Sequence, residues 1–159
     1  MKHRLKHKLY GENTLRQYGG DILRSHGMAQ EKRFLQHGTV SVYEHSVAVA
    51  LMCLQLARLL HLRTNTRSLV RGALLHDYFL YDWHIKEKDR PLHGTHHARQ
   101  AMANAQRHFG LNHIEKNMIL AHMFPLNLTL PRYRESVLLC AADKVCAARE
   151  TWQGVFRKK

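Results

Sequence analysis

The amino-acid sequence predicts an all-α bundle of about six to seven helices, and three observations lead to this fold class. No segment of the 159 residues shows a clean alternation of apolar and polar residues with the period of two that a half-buried strand requires. Apolar residues instead recur at helical spacing in several segments. The three prolines lie where those segments should stop. These features together favour helices packed around one core.

The first two helical segments are predicted from their start and stop signals. Residues 13–36 look helical and amphipathic, with breaks near their glycines. Ser41 and Glu44 match a capping box, in which the serine accepts from the third amide and the glutamate reaches back to the cap. A helix is therefore predicted from this box to about Leu62.

The remaining elements follow in chain order. Asn65 or Thr66 is the predicted cap of a helix that reaches about Tyr81, and Asn112 with Glu115 forms a second cap signal. The later predicted helices cover residues 93–109, 112–124 and 132–152, and polar or proline-bearing connections cover residues 83–92 and 126–131.

Composition bounds the class of protein. A hydrophobic content of 45% with 23% charged residues is ordinary for one globular domain of this length. The longest apolar run, residues 47–54, is far too short to span a bilayer, and no apolar signal region follows the basic N-terminus. The three cysteines are expected to be reduced thiols. These features predict a cytoplasmic protein without a membrane partner.

The formal net charge of +13 has two functional interpretations. Basic surfaces neutralise the phosphates of nucleic acids, and they also steer small anionic substrates toward a site. Arg63, Arg67 and Arg71 recur every four residues, which would align them along a helix. A solvated basic face is favoured over a nucleic-acid surface here, because charge alone does not specify a partner.

The adjacent pair His76-Asp77 is the most informative feature of the sequence. It lies within the apolar segment Gly72–Leu80, where an ionisable group is rarely left unpaired. Further histidines and a carboxylate lie on other apolar segments, namely His45, His93, His122 and Asp143. Nitrogen and oxygen ligands from several helices are how a helical protein builds a divalent-metal site.

The order and surroundings of these residues resemble the H…HD…D signature of the HD-domain superfamily of metal-dependent phosphohydrolases. Residues 45–50 resemble the helix that carries the first histidine of the family. Residues 73–77 resemble its His-Asp segment, and residues 141–144 resemble the segment with its closing aspartate. Residues 93–98 and 119–122 resemble the histidine segments of members that hold a second metal. The resemblance covers roughly residues 40 to 150.

The resemblance implies an HD-domain-like bundle with a metal centre. His45, His76, Asp77 and Asp143 would hold one divalent transition metal, with Mn, Fe, Zn, Ni or Co suited to this ligand set and Mg as a further option. His93 and His122 would hold a second ion, with Asp77 bridging both. His96 or His97 could replace His93 or bind phosphate.

The implied activity is hydrolysis of a phosphate ester, with a nucleotide or a small phosphorylated metabolite as the anionic substrate. Asp77 would orient or deprotonate the attacking water, and Lys144 would contact the substrate phosphate. Residues 78–81 are apolar and aromatic where several HD enzymes place a lysine or glutamate, so the substrate class of those branches is not implied. Two alternatives remain: a metal- and nucleotide-binding sensor without turnover, and a nucleic-acid-directed protein.

The resemblance also suggests how the chain is divided. Residues 1–39 would form an N-terminal helical extension packed on the core, residues 40–152 the HD domain, and residues 153–159 a basic C-terminal tail.

Overall fold

A computed structural model describes residues 2–37, 39–81 and 93–156. Within these ranges the chain forms seven α-helices and one two-stranded antiparallel hairpin, which confirms the predicted all-α class. The helices are α1 (Lys2–Leu23), α2 (His26–Glu31), α3 (Val42–Leu59), α4 (Thr66–Leu75), α5 (His93–Phe109), α6 (His113–Ala121) and α7 (Arg134–Phe156), and the strands are β1 (Leu35–His37) and β2 (Val40–Ser41).

The core lies where α3 and α4 pack against each other and against their neighbours. α7 covers α3 and α6, while α1 covers α4 and α3. Val49 and Cys53 of α3, Leu74 of α4 and Leu139 of α7 are fully buried in one continuous hydrophobic cluster. The burial of these apolar side chains supplies most of the stability of such a bundle. Among the described residues, no helix is long and apolar enough to cross a membrane.

The N-terminal segment differs from the sequence prediction. α1 starts at Lys2 and continues through glycines 19 and 20, which were predicted to break it. Gly19 packs directly on Leu74, so that an added Cβ would clash with the leucine side chain. The break comes later, where the side chain of Ser25 caps α2 by accepting from the amide of Met28. Packing between α1 and α4 therefore outweighs the low helix propensity of glycine.

Three helix starts are set by side-chain caps. The capping box of Ser41 and Glu44 is present at the start of α3, as predicted. Asn65, and not Thr66, caps α4. The second box joins Asn112 to Glu115 at the start of α6. α7 begins two residues later than predicted and ends four residues beyond residue 152.

The end of α4 departs from the prediction in a way that shapes the site. The helix stops at Leu75 and does not reach Tyr81, so the His-Asp pair lies in the turn that follows. The side chain of Asn104 donates to the carbonyls of Tyr78 and Phe79, at 3.2 and 3.1 Å, and so replaces their helical partners. Leu80 then adopts a positive φ of 60°. The predicted loop over residues 83–92 lies outside the described residues.

Candidate metal centre

Six ionisable side chains from five parts of the chain meet at one buried site. They belong to the start of α3, the turn after α4, the second turn of α5, the residue after α6, and the middle of α7. They are His45, His76, Asp77, His97, His122 and Asp143, and all six are buried. Their ligand atoms form two groups, within each of which the atoms lie no more than 4.8 Å apart.

The first group contains His45, His76 and Asp143. Nε2 of His45 lies 3.1 Å from Oδ1 of Asp143, and Nε2 of His76 lies 3.7 Å from the same oxygen. The second group contains His97 and His122, whose Nε2 atoms are 2.8 Å apart, together with Asp77. Each group therefore presents two imidazole nitrogens and one carboxylate oxygen, which is a usual donor set for a divalent transition metal.

Asp77 faces both groups with different oxygens. Its Oδ2 lies 3.4 Å from Nε2 of His76 and 4.0 Å from Nε2 of His45. Its Oδ1 lies 3.4 Å from Nε2 of His97 and 3.5 Å from Nε2 of His122. One carboxylate thus lies between the two groups, each of which forms one half-site of the centre. This is the arrangement that a bridging ligand between two ions requires.

Hydrogen bonds at Nδ1 orient three of the imidazoles. Nδ1 of His76 and of His122 each lies within 2.8 Å of the backbone carbonyl three residues earlier, and Nδ1 of His45 lies 2.8 Å from Oε2 of Glu150. A carbonyl accepts only from N–H, so the protons of His76 and His122 belong on Nδ1. Nε2 is then the atom that faces the centre, and loss of its own proton would make its lone pair available to a metal.

Two buried atoms test whether a cation fits this site. Nε2 of His76 and Oδ1 of Asp77 have no hydrogen-bond partner within the described ranges of the chain. A buried polar atom without a partner destabilises the fold by about 1–3 kcal/mol. A divalent ion would satisfy both atoms, and the nitrogen and oxygen donors suit it. The residues present therefore fit a bound transition metal.

The pKa values reflect the concentration of charge. Burial alone would lower the pKa of His45, but its hydrogen bonds to Asp143 and Glu150 raise it to about 9. Burial lowers the pKa of His122 to about 4. Burial would raise the pKa of Asp77, but the neighbouring charge of His76 holds it well below its usual range. Asp77 is therefore an anion that attracts cations to the centre.

Three polar residues near the ligands were not predicted from the sequence. Glu150 orients His45, and Gln36 donates from its Nε2 to Oδ2 of Asp77 at 2.5 Å. Glu31 on α2 is fully buried, and neither of its carboxylate oxygens has a hydrogen-bond partner among the residues that the structure describes. Burial and the charge of Asp77 raise the pKa of Glu31. A glutamate on the buried face of a short helix indicates that its carboxylate serves a nearby site, but only the fold shows which site that is.

The structure brings together five of the predicted ligands: His45, His76, Asp77, His122 and Asp143. His93 begins α5, but its side chain lies outside the described part of the chain, so its assignment as a ligand stays a prediction. His97, one turn later on α5, contributes the nitrogen that faces His122. Nζ of Lys144 donates to the carbonyls of His122 and Cys140, at 3.2 and 3.4 Å, which holds the ammonium group beside the centre.

Comparison with known proteins adds a family assignment. Neither the curated proteins nor the solved structures that were compared with the chain include a match. The family model of the HD domain matches residues 42–148, which is more than half of the chain and includes all six residues of the centre. The chain therefore belongs to the HD-domain family, which is part of a superfamily of metal-dependent phosphohydrolases.

Proposed function

We propose that this protein is a metal-dependent phosphohydrolase that acts on the phosphate ester of a nucleotide or another small phosphorylated metabolite. The observation that carries the proposal is the position of Asp77 between two half-sites, with one oxygen facing each. A pair of ions held by one bridging carboxylate suits the hydrolysis of phosphate esters, because attacking and leaving oxygens can be stabilised together.

The residues of the centre divide into two ligand sets. His45, His76 and Asp143 would hold one ion, and His97 with His122 a second, with Asp77 shared between them. His93, the ligand expected from the sequence, remains a candidate for the second ion. A divalent transition metal in this position supplies Lewis acidity and lowers the pKa of bound water. The nitrogen-rich donor set favours Mn, Fe, Zn, Ni or Co over Mg.

The surrounding side chains would position these ligands and the substrate. Gln36 donates to Asp77 and fixes the carboxylate that also orients the attacking water. Lys144 is exposed and tethered beside His122, so its ammonium group can meet a substrate phosphate as a point charge. Glu31 comes from the same N-terminal segment as Gln36, which supports the proposal that residues 1–39 form an extension that completes the domain.

The cellular setting is a further part of the proposal. Cys53 and Cys146 are buried free thiols, and Cys140 is a partly buried one. Unpaired cysteines of this kind are typical of the reducing cytoplasm. An anionic metabolite of the cytoplasm also suits the basic surface, which would attract it by long-range electrostatics.

The test combines metal analysis with a phosphoester screen. Protein purified and reloaded with each candidate metal would be assayed against phosphomonoesters, cyclic dinucleotides and nucleotides, and then again after chelation. We expect metal-dependent turnover, which Asp77→Ala abolishes together with metal binding. Turnover that survives both chelation and Asp77→Ala would overturn the proposal. Metal binding without turnover across the whole panel would instead identify a sensor.

A second set of variants distinguishes one ion from two. His122→Ala should remove about half of the metal bound by the wild-type protein, because it affects only one half-site. His113→Ala is the matched control, since this histidine is exposed at the start of α6 and lies outside both groups. His93→Ala and His97→Ala, measured side by side, would identify the ligand that α5 supplies. Unchanged metal content in His122→Ala would exclude the second ion.

A further inference from the structure

A basic groove lies on the outer side of the bundle, between α1 and α4. It has a volume of about 340 Å³, and its walls carry four arginines, one aspartate and one tyrosine. These residues are Arg16, Tyr18 and Asp21 of α1, Arg24 directly after α1, and Arg67 and Arg71 of α4. None of the six residues of the metal centre lines the groove, so this is a separate surface.

Arg71 is the structural member of the groove. It is only 4% exposed, and its guanidinium donates to Glu115 at 3.0 Å, to Asp21 at 3.2 Å, and to two backbone carbonyls at the end of α5. Two carboxylates thus more than balance the charge of Arg71. It also fixes Asp21, which is the acidic residue of the groove, in an existing ion pair.

The other three arginines give the groove an excess of positive charge over its one aspartate. Arg16, Arg24 and Arg67 are exposed, and none of them forms an ion pair with a carboxylate within the described part of the chain. They line one groove, with Arg16 on α1, Arg24 just after α1, and Arg67 on α4. Like charges gathered in this way repel one another, and a bound anion would relieve that repulsion.

The packing of α1 on α4 places these arginines along one groove. Gly19 allows the two helices to approach, since any side chain there would collide with Leu74. Gly20 lies in the wall of the groove, and a Cβ at this position would lie 3.1 Å from Nη1 of Arg24. Two adjacent glycines weaken a helix interior by about 1 kcal/mol each relative to alanine. The glycine pair thus gives both close helix packing and space beside the arginines.

We propose that the α1–α4 groove is a binding site for closely spaced phosphate groups, such as the polyphosphate chain of a nucleotide. Planar guanidinium groups bind phosphate oxygens in pairs of hydrogen bonds, and three of them match an anion with several charges. The groove volume lies at the lower end of the range of roughly 300–1,000 Å³ for small-molecule sites. Tyr18 offers a half-buried aromatic ring at its edge. A nucleic-acid strand carries the same phosphate chemistry and is the second source to distinguish.

Calorimetric titration of the full-length chain with inorganic tripolyphosphate is the primary test, with protein as purified and after removal of metal by EDTA. Binding at the groove should persist after EDTA treatment. The double variant Arg16→Gln with Arg67→Gln should weaken binding by at least about tenfold, since it removes two charge-assisted contacts. The matched control, Arg99→Gln with Arg132→Gln, changes two exposed arginines outside the groove and lowers the net charge equally.

Equal weakening in the groove variant and the control would overturn the proposal, as would binding that EDTA abolishes. Arg24→Gln is a single-residue alternative in case the double variant fails to fold, and it should also weaken the binding of tripolyphosphate. Titration with a 16-nucleotide single-stranded nucleic acid at several salt concentrations distinguishes the two sources of phosphate, a nucleotide and a nucleic-acid strand. Tighter binding of the strand than of tripolyphosphate, again lost in the groove variant, would assign the site to nucleic acid.

Discussion

Replacing Glu31 with glutamine should change the pH dependence of stability in a direction that can be worked out from the structure. Glu31 is buried beside an anionic aspartate, which raises the pKa of its carboxyl group. In the unfolded chain this group ionises near pH 4.3. Above that pH the folded protein retains a proton that the unfolded chain releases, so the wild-type protein loses stability as the pH rises.

The expected magnitude follows from proton linkage. For one retained proton, the free energy of unfolding falls by about 1.4 kcal/mol per pH unit, from pH ~4.3 up to the pKa in the folded state. Glu31→Gln has no such proton. The free energy of unfolding of the variant minus that of the wild type should therefore grow with pH, by at most about 4 kcal/mol at pH 7. The pH-independent effect of burying an amide cancels from this trend.

Urea unfolding of both proteins at half-unit steps from pH 4.5 to 8, with EDTA present, measures this difference. Glu44→Gln serves as the control of opposite sign, because hydrogen bonds from Ser41 lower the pKa of Glu44. The difference for this control should not rise with pH. In the metal-loaded protein the trend for Glu31→Gln should diminish, since nearby cations favour an ionised carboxylate. Parallel stability curves for wild type and Glu31→Gln would refute the reasoning.

Three further predictions rest on single contacts. Glu150→Gln should weaken metal binding by about 10–100-fold while leaving the helices intact, as measured by metal competition and circular dichroism, because Glu150 orients His45; unchanged affinity would contradict this. The pKa of His45 is raised to about 9 in the folded metal-free protein, so its protonation stabilises the fold fully below pH ~6.5 and progressively less up to pH 9. The free energy of unfolding should fall by about 3 kcal/mol over this interval, which urea unfolding in EDTA would detect. Stability that stays constant or increases over that interval would disprove it. Gly19→Ala should lower the unfolding free energy by about 1–3 kcal/mol despite its better helix propensity, because its Cβ meets Leu74; thermal unfolding that shows stabilisation would exclude the clash.

Local signals in the sequence were sufficient for most helix starts and for most of the ligands. Ser41 and Glu44 interact within one helical turn, so their capping box is readable without the fold. The His76-Asp77 pair is informative because it places charge in an apolar segment. Tertiary contacts decide the rest. α4 ends at Leu75, and Asn104, on another helix, donates to the carbonyl groups of Tyr78 and Phe79 in the segment that was predicted to continue it.

The surroundings of the ligands could not be predicted for the same reason. Glu150 and His45 are 105 residues apart, and Gln36 and Asp77 are 41 residues apart. No pattern of spacing indicates such pairs before the helices are packed. His93 and His97 lie one turn apart on α5, so both are compatible with one helix face. Only the rotation and position of α5 against α6 determine which nitrogen approaches His122.

The contact between His45 and Glu150 has a consequence for the order of events during synthesis. The first half-site also needs Asp143, which lies 98 residues after His45. A chain still attached to the ribosome exposes His45 of α3 and His76 after α4 long before α7 emerges. Metal loading of the first half-site would then follow the emergence of α7. Metal uptake at the first half-site would thus report the finished fold, and fragments that lack α7 should not bind metal there even when their other helices form.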